Sequence, residues 1–283
     1  MVDNRYGRTR RYATRALTAL AAGIAGGSLV VACTAETVTH AAPTDDAPRP
    51  TIILEHGAFA DGSSRNDVIE KLSKDRYPVV AAANPLRGPV NDAATLRGLI
   101  SHINGPVILV GHSYGGSVIS AAAAGNEKVK ALVYVAAFLP APGETALELT
   151  NKFPGTTLPG TLNPVPFTAV DGSSGTDLYI QQDKFRAQFA ADVPEDRAAL
   201  MAFTQRPIAQ AALEEKATAA GWSEKPSWDI VTTKDLNIPV EAQRFMADRA
   251  HAHVTEVEAS HSVAVSHPDV VVDVIEQAAA AKY

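Results

Sequence analysis

Cysteine is almost missing: Cys33 is the only one among 283 residues, so the chain can form no internal disulfide. Its stability must then come from a hydrophobic core, which a chain of this length is large enough to build. Basic clusters are missing too once the first fifteen residues are passed. With a net charge of −6, this argues against nucleic acid as a partner. There are no heptads, no internal repeats and no long low-complexity run. The longest apolar stretch, "ALTALAAGIAGGSLVVA", is Ala- and Gly-rich and marginal for a permanent membrane span.

That stretch follows the basic segment "MVDNRYGRTRRYATR" and precedes "CTAETVTHAAPTDDAPRP", the layout of an export signal. Two readings of its end stay open. Val30-Val31-Ala32-Cys33 resembles a lipobox, in which Cys33 is lipidated and anchors the chain to the outer face of a bacterial membrane. The other reading is secretion, with cleavage near Ala41 or Ala42 after an arginine pair of twin-arginine type. Either way the expectation is an exported protein, with 1–33 as signal and 34–50 as a flexible tether.

From residue 51 short apolar runs alternate with amphipathic stretches, the pattern of an α/β protein with a parallel sheet. The runs are "TIILE", "PVVAAAN", "PVILVG", "ALVYVAA", "SWDIVTT" and "HVTEVE". Most are continuous rather than alternating, as strands covered on both faces require. Ser64 and Asp67 have capping-box spacing, Asp92 can cap the second helix, and Pro268 opens the last one, with His267 as its cap. Residues 139–226 break the rhythm with a Pro- and Gly-rich loop and then three helical pieces. They read as a helical lid inserted between two halves of a core, 51–138 and 227–283.

The pentapeptide Gly111-His112-Ser113-Tyr114-Gly115 fits the G-x-S-x-G nucleophile elbow. Alone it is weak, since three fixed common residues arise by chance in about one chain in ten of this size. Its setting is stronger. A buried strand runs straight into Ser113 and a small-residue helix runs out, and such a turn tolerates only small neighbours two positions away. Gly111 and Gly115 occupy those positions, and the helix N-terminus aims free N–H groups at the serine. The Tyr114 N–H would form one half of an oxyanion hole. The loop "EHGAFADGSS" would supply the other, with Gly57 allowing close approach and Ala58 or Phe59 donating. His56 and His112 flank this centre as loop supports. Of eight histidines, His261 follows the last strand directly and is the candidate base. Asp235 ends the strand before it and is the candidate acid, with Asp229, inside that strand, the weaker choice. The chain order Ser113, Asp235, His261 is the one found in α/β-hydrolases.

"HGAFADGSS", "VILVGHSYGG", "VYVAAFLP", "TTKDLNIP" and "ASHSVAVSHP" make residues 51–283 resemble an α/β-hydrolase, close to the plant methylesterases and hydroxynitrile lyases and their bacterial esterase relatives. The resemblance implies a sheet of about six parallel strands without a leading antiparallel pair, and Ala58 as the second oxyanion donor. Hydroxynitrile lyases usually carry Thr at the position of Gly57 and Lys at that of Ser262, which disfavours cyanohydrin cleavage. Members of this branch often have Trp where Arg65 stands, so Arg65 is either exposed here or alters the pocket or stability. The expected activity is serine hydrolysis of a hydrophobic small-molecule ester or lactone, with no cofactor and no metal. A perhydrolase, a cofactor-free oxygenase and a ligand receptor are alternatives on the same scaffold. Phe153, Phe167, Phe185, Phe189, Phe203 and Trp222 are the candidate pocket lining.

Overall fold

A computed structural model describes residues 49–282. The expected export signal, Cys33 and nearly all of the tether lie outside the described residues. The first half of the core runs β1 (Thr51–Glu55), α1 (Asn66–Lys74), β2 (Val79–Ala82), α2 (Pro89–Ser101), β3 (Val107–His112), α3 (Gly115–Ala123) and β4 (Val129–Val135). The insertion holds α4 (Ala146–Asn151), β5 (Leu162–Thr168), β6 (Ser174–Ile180), α5 (Gln182–Phe189), α6 (Glu195–Thr204), β7 (Ile208–Ala209) and α7 (Gln210–Glu214). The core then resumes with β8 (Ser227–Thr232), α8 (Val240–Arg249), β9 (His253–Val257), the short α9 (Val263–Ser266) and α10 (Pro268–Ala280).

All six apolar runs form strands of one parallel sheet, ordered β2-β1-β3-β4-β8-β9. Side-chain alternation divides its core in two. Ile53, Leu109, Leu132 and Tyr134 pack toward α2, α3 and the insertion, while Ile52, Leu54, Ile108 and Val133 pack toward α1 and α10. Strand order reverses between β1 and β3, which are direct neighbours with Glu55 opposite Gly111. The carboxyl ends of two such strands leave a crevice where open α/β sheets bind ligands.

The insertion is only partly helical. β5, β6 and β7 form a three-stranded antiparallel sheet, and β6 takes up part of a stretch expected to be helix. Pro164 and Pro166 make β5 look like loop, yet β5 is an edge strand, where a missing N–H faces outward harmlessly. The hairpin signal was there in Asp171-Gly172, with Gly172 at φ 86°.

Two expected caps are absent. Ser64 lies in a 3-10 turn, Gly62–Arg65, capped by Asp61, and α1 begins after it without a side-chain cap. His267 occupies the N-cap position of α10 but makes no capping bond; its Nδ1 lies 2.9 Å from Ser266 Oγ. Asp92 lies within the first turn of α2 and accepts from the Arg87 and Gly88 amides just before it.

Candidate active site

Ser113 stands at the joint of β3 and α3 with φ 55°, a left-handed conformation that disfavours a residue with a Cβ. The turn is held by the backbone. Ser113 N–H donates to Val135 O at 3.2 Å, and Ser113 O accepts from Gly116 N at 3.0 Å and Phe138 N at 3.1 Å. Glycine is required around it for lack of space. A Cβ on Gly111 would lie 2.7 Å from Gly115 O, and one on Gly115 would lie 2.6 Å from Glu55 O. One on Gly57 would lie 2.6 Å from Ser113 Cβ and 2.7 Å from His112 O. Backbone and the serine itself are the obstacles, so neither can move aside without displacing the elbow. Gly57→Ala is expected to lower kcat/KM for an ester about a hundredfold or more, because an ångström of misplacement has that effect. Steady-state assay of the variant checks this, and near-normal activity would contradict it.

Asp235 follows β8 and His261 follows β9. Their side chains meet, with His261 Nδ1 donating to Asp235 Oδ2 at 2.7 Å, both groups buried. Asp235 is held from every side. Its Oδ1 accepts from Asn237 N at 2.7 Å and Ile238 N at 3.1 Å. Its Oδ2 also accepts from Thr232 Oγ1 and Gln243 Nε2, each at 3.1 Å. Gln243 in α8 is a partner of this carboxylate that the sequence did not reveal. Asp229 takes no part: it is buried in β8, both its oxygens lack a partner among the described residues, and burial pushes its carboxyl well above the usual range.

The supporting histidines are neutral. Burial lowers His56 to about 4, and its tautomer is set by Nδ1–H donating to Gly57 O at 2.9 Å while Nε2 accepts from Asn84 N at 3.1 Å. Burial likewise holds His112 well below its usual range, and its Nε2–H donates to His261 O at 2.8 Å. The insertion grips the same loop from outside. Asp192 accepts from Ser260 N and Ser260 Oγ, Ser262 Oγ donates to Phe189 O at 2.8 Å, and the Phe189 ring sits edge-on to the His261 imidazole at 4.9 Å. Neither Asp192 nor Phe189 carried a sequence signal for that role.

Ser113, Tyr114, Ala58 and His261 all line one cavity of about 380 Å³. Phe59 N–H is engaged by Arg206 O at 2.9 Å, whereas the amides of Ala58 and Tyr114 have no hydrogen-bond partner among the described residues. Tyr114 is pinned by its phenol, which donates to Asp92 Oδ2 at 2.8 Å, and burial keeps that phenol protonated. The walls are largely apolar, as expected, but the aromatics in them are Phe59, Tyr114 and Phe138 rather than the expected ones, and Leu147, Leu158, Leu162, Leu178, Leu213 and Ile238 supply much of the rest. None of the six predicted aromatics lines this cavity. Phe185 and Phe189 are buried within the insertion, Phe153 packs on Phe245, Phe167 stacks under Arg87, Trp222 donates to Pro140 O, and Phe203 is exposed.

Arg65 is buried, which decides between the two readings of that position. Its Nη1 donates to Ser64 Oγ at 2.9 Å, and its Nη2 has no partner among the described residues. Glu55 is 2% exposed, and its Oε2 likewise has no partner among the described residues. Attraction between the two is outweighed by burial, which raises Glu55 to about 8 and lowers Arg65 to about 10. A carboxyl raised on folding stabilises the native state below its unfolded value, and that stability is lost as pH rises through the folded value. Between pH 4.5 and 8 the fold should therefore lose up to about 1.4 kcal/mol per pH unit through Glu55, with Asp229 acting in the same direction. Glu55→Gln is expected to flatten this slope in urea titrations at pH 5, 6.5 and 8; an unchanged slope would refute the assignment.

The fold and this site define a hydrolase with a serine elbow on a parallel sheet. The chain belongs to the alpha/beta hydrolase family, whose model matches residues 52–274. Alpha/beta hydrolase nvfD of Aspergillus novofumigatus is 26% identical over 256 residues, covering 82% of this chain and 97% of that protein. A carbendazim hydrolyzing esterase of Nocardioides sp. is 34% identical over 116 residues, 35% of this chain and 47% of that protein. Among solved structures, polyneuridine aldehyde esterase superposes with a TM-score of 0.70 at 18% identity, covering 81% of this chain and 98% of that one. A pyrethroid hydrolase from Sphingobium faniae superposes at 0.66 with 24% identity, covering 82% and 98%. These two likenesses establish the fold.

Proposed function

We propose that the protein cleaves a carboxylic ester or lactone through an acyl-enzyme formed on Ser113. The observation that carries this reading is the 2.7 Å His261–Asp235 bond at the edge of the cavity that Ser113 also lines. His261 Nε2 takes the Ser113 Oγ proton as Oγ attacks the ester carbonyl carbon, and Asp235 stabilises the imidazolium through Nδ1–H. The Ala58 and Tyr114 amides receive the oxyanion. Collapse breaks the carbon–oxygen bond to the alcohol, which leaves with the proton from Nε2. Water then gives a proton to His261 Nε2 and its hydroxyl to the acyl carbon, and the Oγ–carbon bond breaks as Nε2 returns that proton to Ser113 Oγ, releasing the acid. Esterase and hydrolase names among the similar proteins support the same class. The apolar walls suit an uncharged, hydrophobic substrate. Rapid mixing with a p-nitrophenyl ester tests the proposal. A burst of nitrophenol stoichiometric with enzyme, or steady turnover abolished in Ser113→Ala, is expected; neither acylation nor turnover would sink it.

A further inference from the structure

The loops that carry Asp235 and His261 leave neighbouring strands, β8 and β9, and one short stretch of the insertion bonds to both. That stretch is residues 188–192, the end of α5 and the turn after it. On the acid side, buried Gln188 donates through Nε2 to Leu236 O at 2.8 Å and to Asn237 Oδ1 at 2.9 Å, the two residues that follow Asp235. The glutamine is itself held, since its Oε1 accepts from Thr157 Oγ1 at 2.7 Å. On the base side the bonds fall on both neighbours of His261. Phe189 O, one of the carbonyls that a helix end leaves without an intrahelical donor, accepts from Ser262 Oγ at 2.8 Å. Asp192 accepts from the Ser260 amide at 3.0 Å and from the Ser260 hydroxyl. The turn is closed on itself: Val193 N–H donates to Ala190 O at 3.1 Å, and Arg186 Nε donates to Val193 O at 3.2 Å.

We infer that residues 188–192 form a brace that fixes the His261–Asp235 pair relative to Ser113, with Gln188 and Asp192 as its positioning residues. The inference rests on the hydrolytic reading of those three groups. Burial of Phe185, Phe189 and Val193 docks the segment, but apolar burial has no direction. The hydrogen bonds supply the direction, and a proton acceptor needs it, because its rate falls steeply with small displacements. The core holds the pair from the other side, through Thr232 and Gln243 on the Asp235 carboxylate and His112 on His261 O. Gln188, Phe189 and Asp192 are absent from the cavity lining, so a bond lost there displaces the base and leaves the walls in place. The insertion then acts on the proton path as well as on substrate shape.

The test combines steady-state kinetics on p-nitrophenyl hexanoate with the downfield proton NMR signal of His261 Nδ1–H, which reports the bond to Asp235 directly. In Asp192→Ala, kcat is expected to fall about tenfold or more while KM stays within about twofold, and the signal should shift or broaden. Gln188→Met should change both readouts in the same direction. Asp192→Asn keeps an oxygen for the Ser260 amide, and the Ser260 hydroxyl can turn to accept from its NH₂, so it should recover most of the loss. His267 Nδ1 lies 3.8 Å from Asp192 Oδ2, and His267→Gln separates that neighbour from the Ser260 contact. Its kcat should stay near that of the wild type, and a loss equal to that of Asp192→Ala would overturn the inference. An unchanged Nδ1–H signal in both Asp192→Ala and Gln188→Met, or a loss confined to KM, would overturn it too. If Asp192→Ala does not fold, Ser260→Ala, which removes only the hydroxyl bond, replaces it under the same criteria. If the wild type hydrolyses no ester, the hydrolytic reading fails separately, and the Nδ1–H signal in the variants still decides whether the segment positions the pair.

Discussion

Ser113→Ala is expected to lower kcat/KM for any ester substrate by about 10⁵-fold or more, while the protein stays folded. On the proposed acyl-enzyme route the size follows from losing the nucleophile: with no Oγ, His261 and Asp235 would have nothing to activate, and removal of a triad serine alone costs nearly as much as removal of all three groups. What residual rate survives would come from the oxyanion donors and binding. Ser113→Gly should be equally inactive but more stable than Ser113→Ala by roughly 1 kcal/mol, because at φ 55° only the glycine is free of the Cβ clash. The strain persists in the wild type because three backbone bonds fix the turn. Paired activity assays and thermal melts of the two variants check both halves. An alanine variant that keeps even a few per cent of activity would point to a different nucleophile.

The elements that can be read from sequence are those whose signal is repeated along the chain. β1, β3 and β4 are mostly apolar along their length because both faces of the sheet are covered, and each contributes several residues to that signal, while β8 is equally buried but mixes Ser227, Asp229 and Thr232 with its apolar residues. The candidates Ser113, Asp235 and His261 could be picked out for a related reason: each follows the end of a strand, so finding the strands narrows the search to a few loop positions. The β5–β6 hairpin was hidden because Pro164 and Pro166 are breakers in general and harmless only on an edge, and edge position is a tertiary fact. The cavity lining was hidden similarly. Phe185 and Phe189 are apolar in either case, and whether they face the cavity or the interior depends on how α5 docks, which places Phe189 against His261 instead. Gln243 and Asp192 are single polar residues with no motif around them. Their roles exist only because α8 and the insertion bring them to Asp235 and Ser260.

Asp235→Asn is expected to lower kcat about 10³- to 10⁴-fold with little change in fold, and the hydrogen bonds around the carboxylate say why. Oδ1 accepts from two backbone amides, Asn237 and Ile238, which cannot turn away. An asparagine must therefore keep its oxygen there and put its NH₂ at the place of Oδ2. That place is surrounded by Gln243 Nε2, Thr232 Oγ1 and His261 Nδ1, all of which donate to it in the wild type. Gln243 cannot flip to help, because its Oε1 already accepts from Thr232 N at 2.9 Å and its Nε2 donates to Ile238 O at the same distance. Two partners can change sides. The Thr232 hydroxyl can turn its proton toward Gln243 Oε1 at 3.4 Å and accept one hydrogen of the new NH₂. The imidazole, to accept the other, loses its Nδ1 proton and carries its proton on Nε2. In that tautomer it presents a donor to Ser113 instead of an acceptor, and the serine proton has nowhere to go. The effect should appear in kcat far more than in KM, since the cavity walls are untouched. Steady-state kinetics of Asp235→Asn beside wild type would measure it, and a loss confined to KM would show that Asp235 shapes binding rather than the proton path.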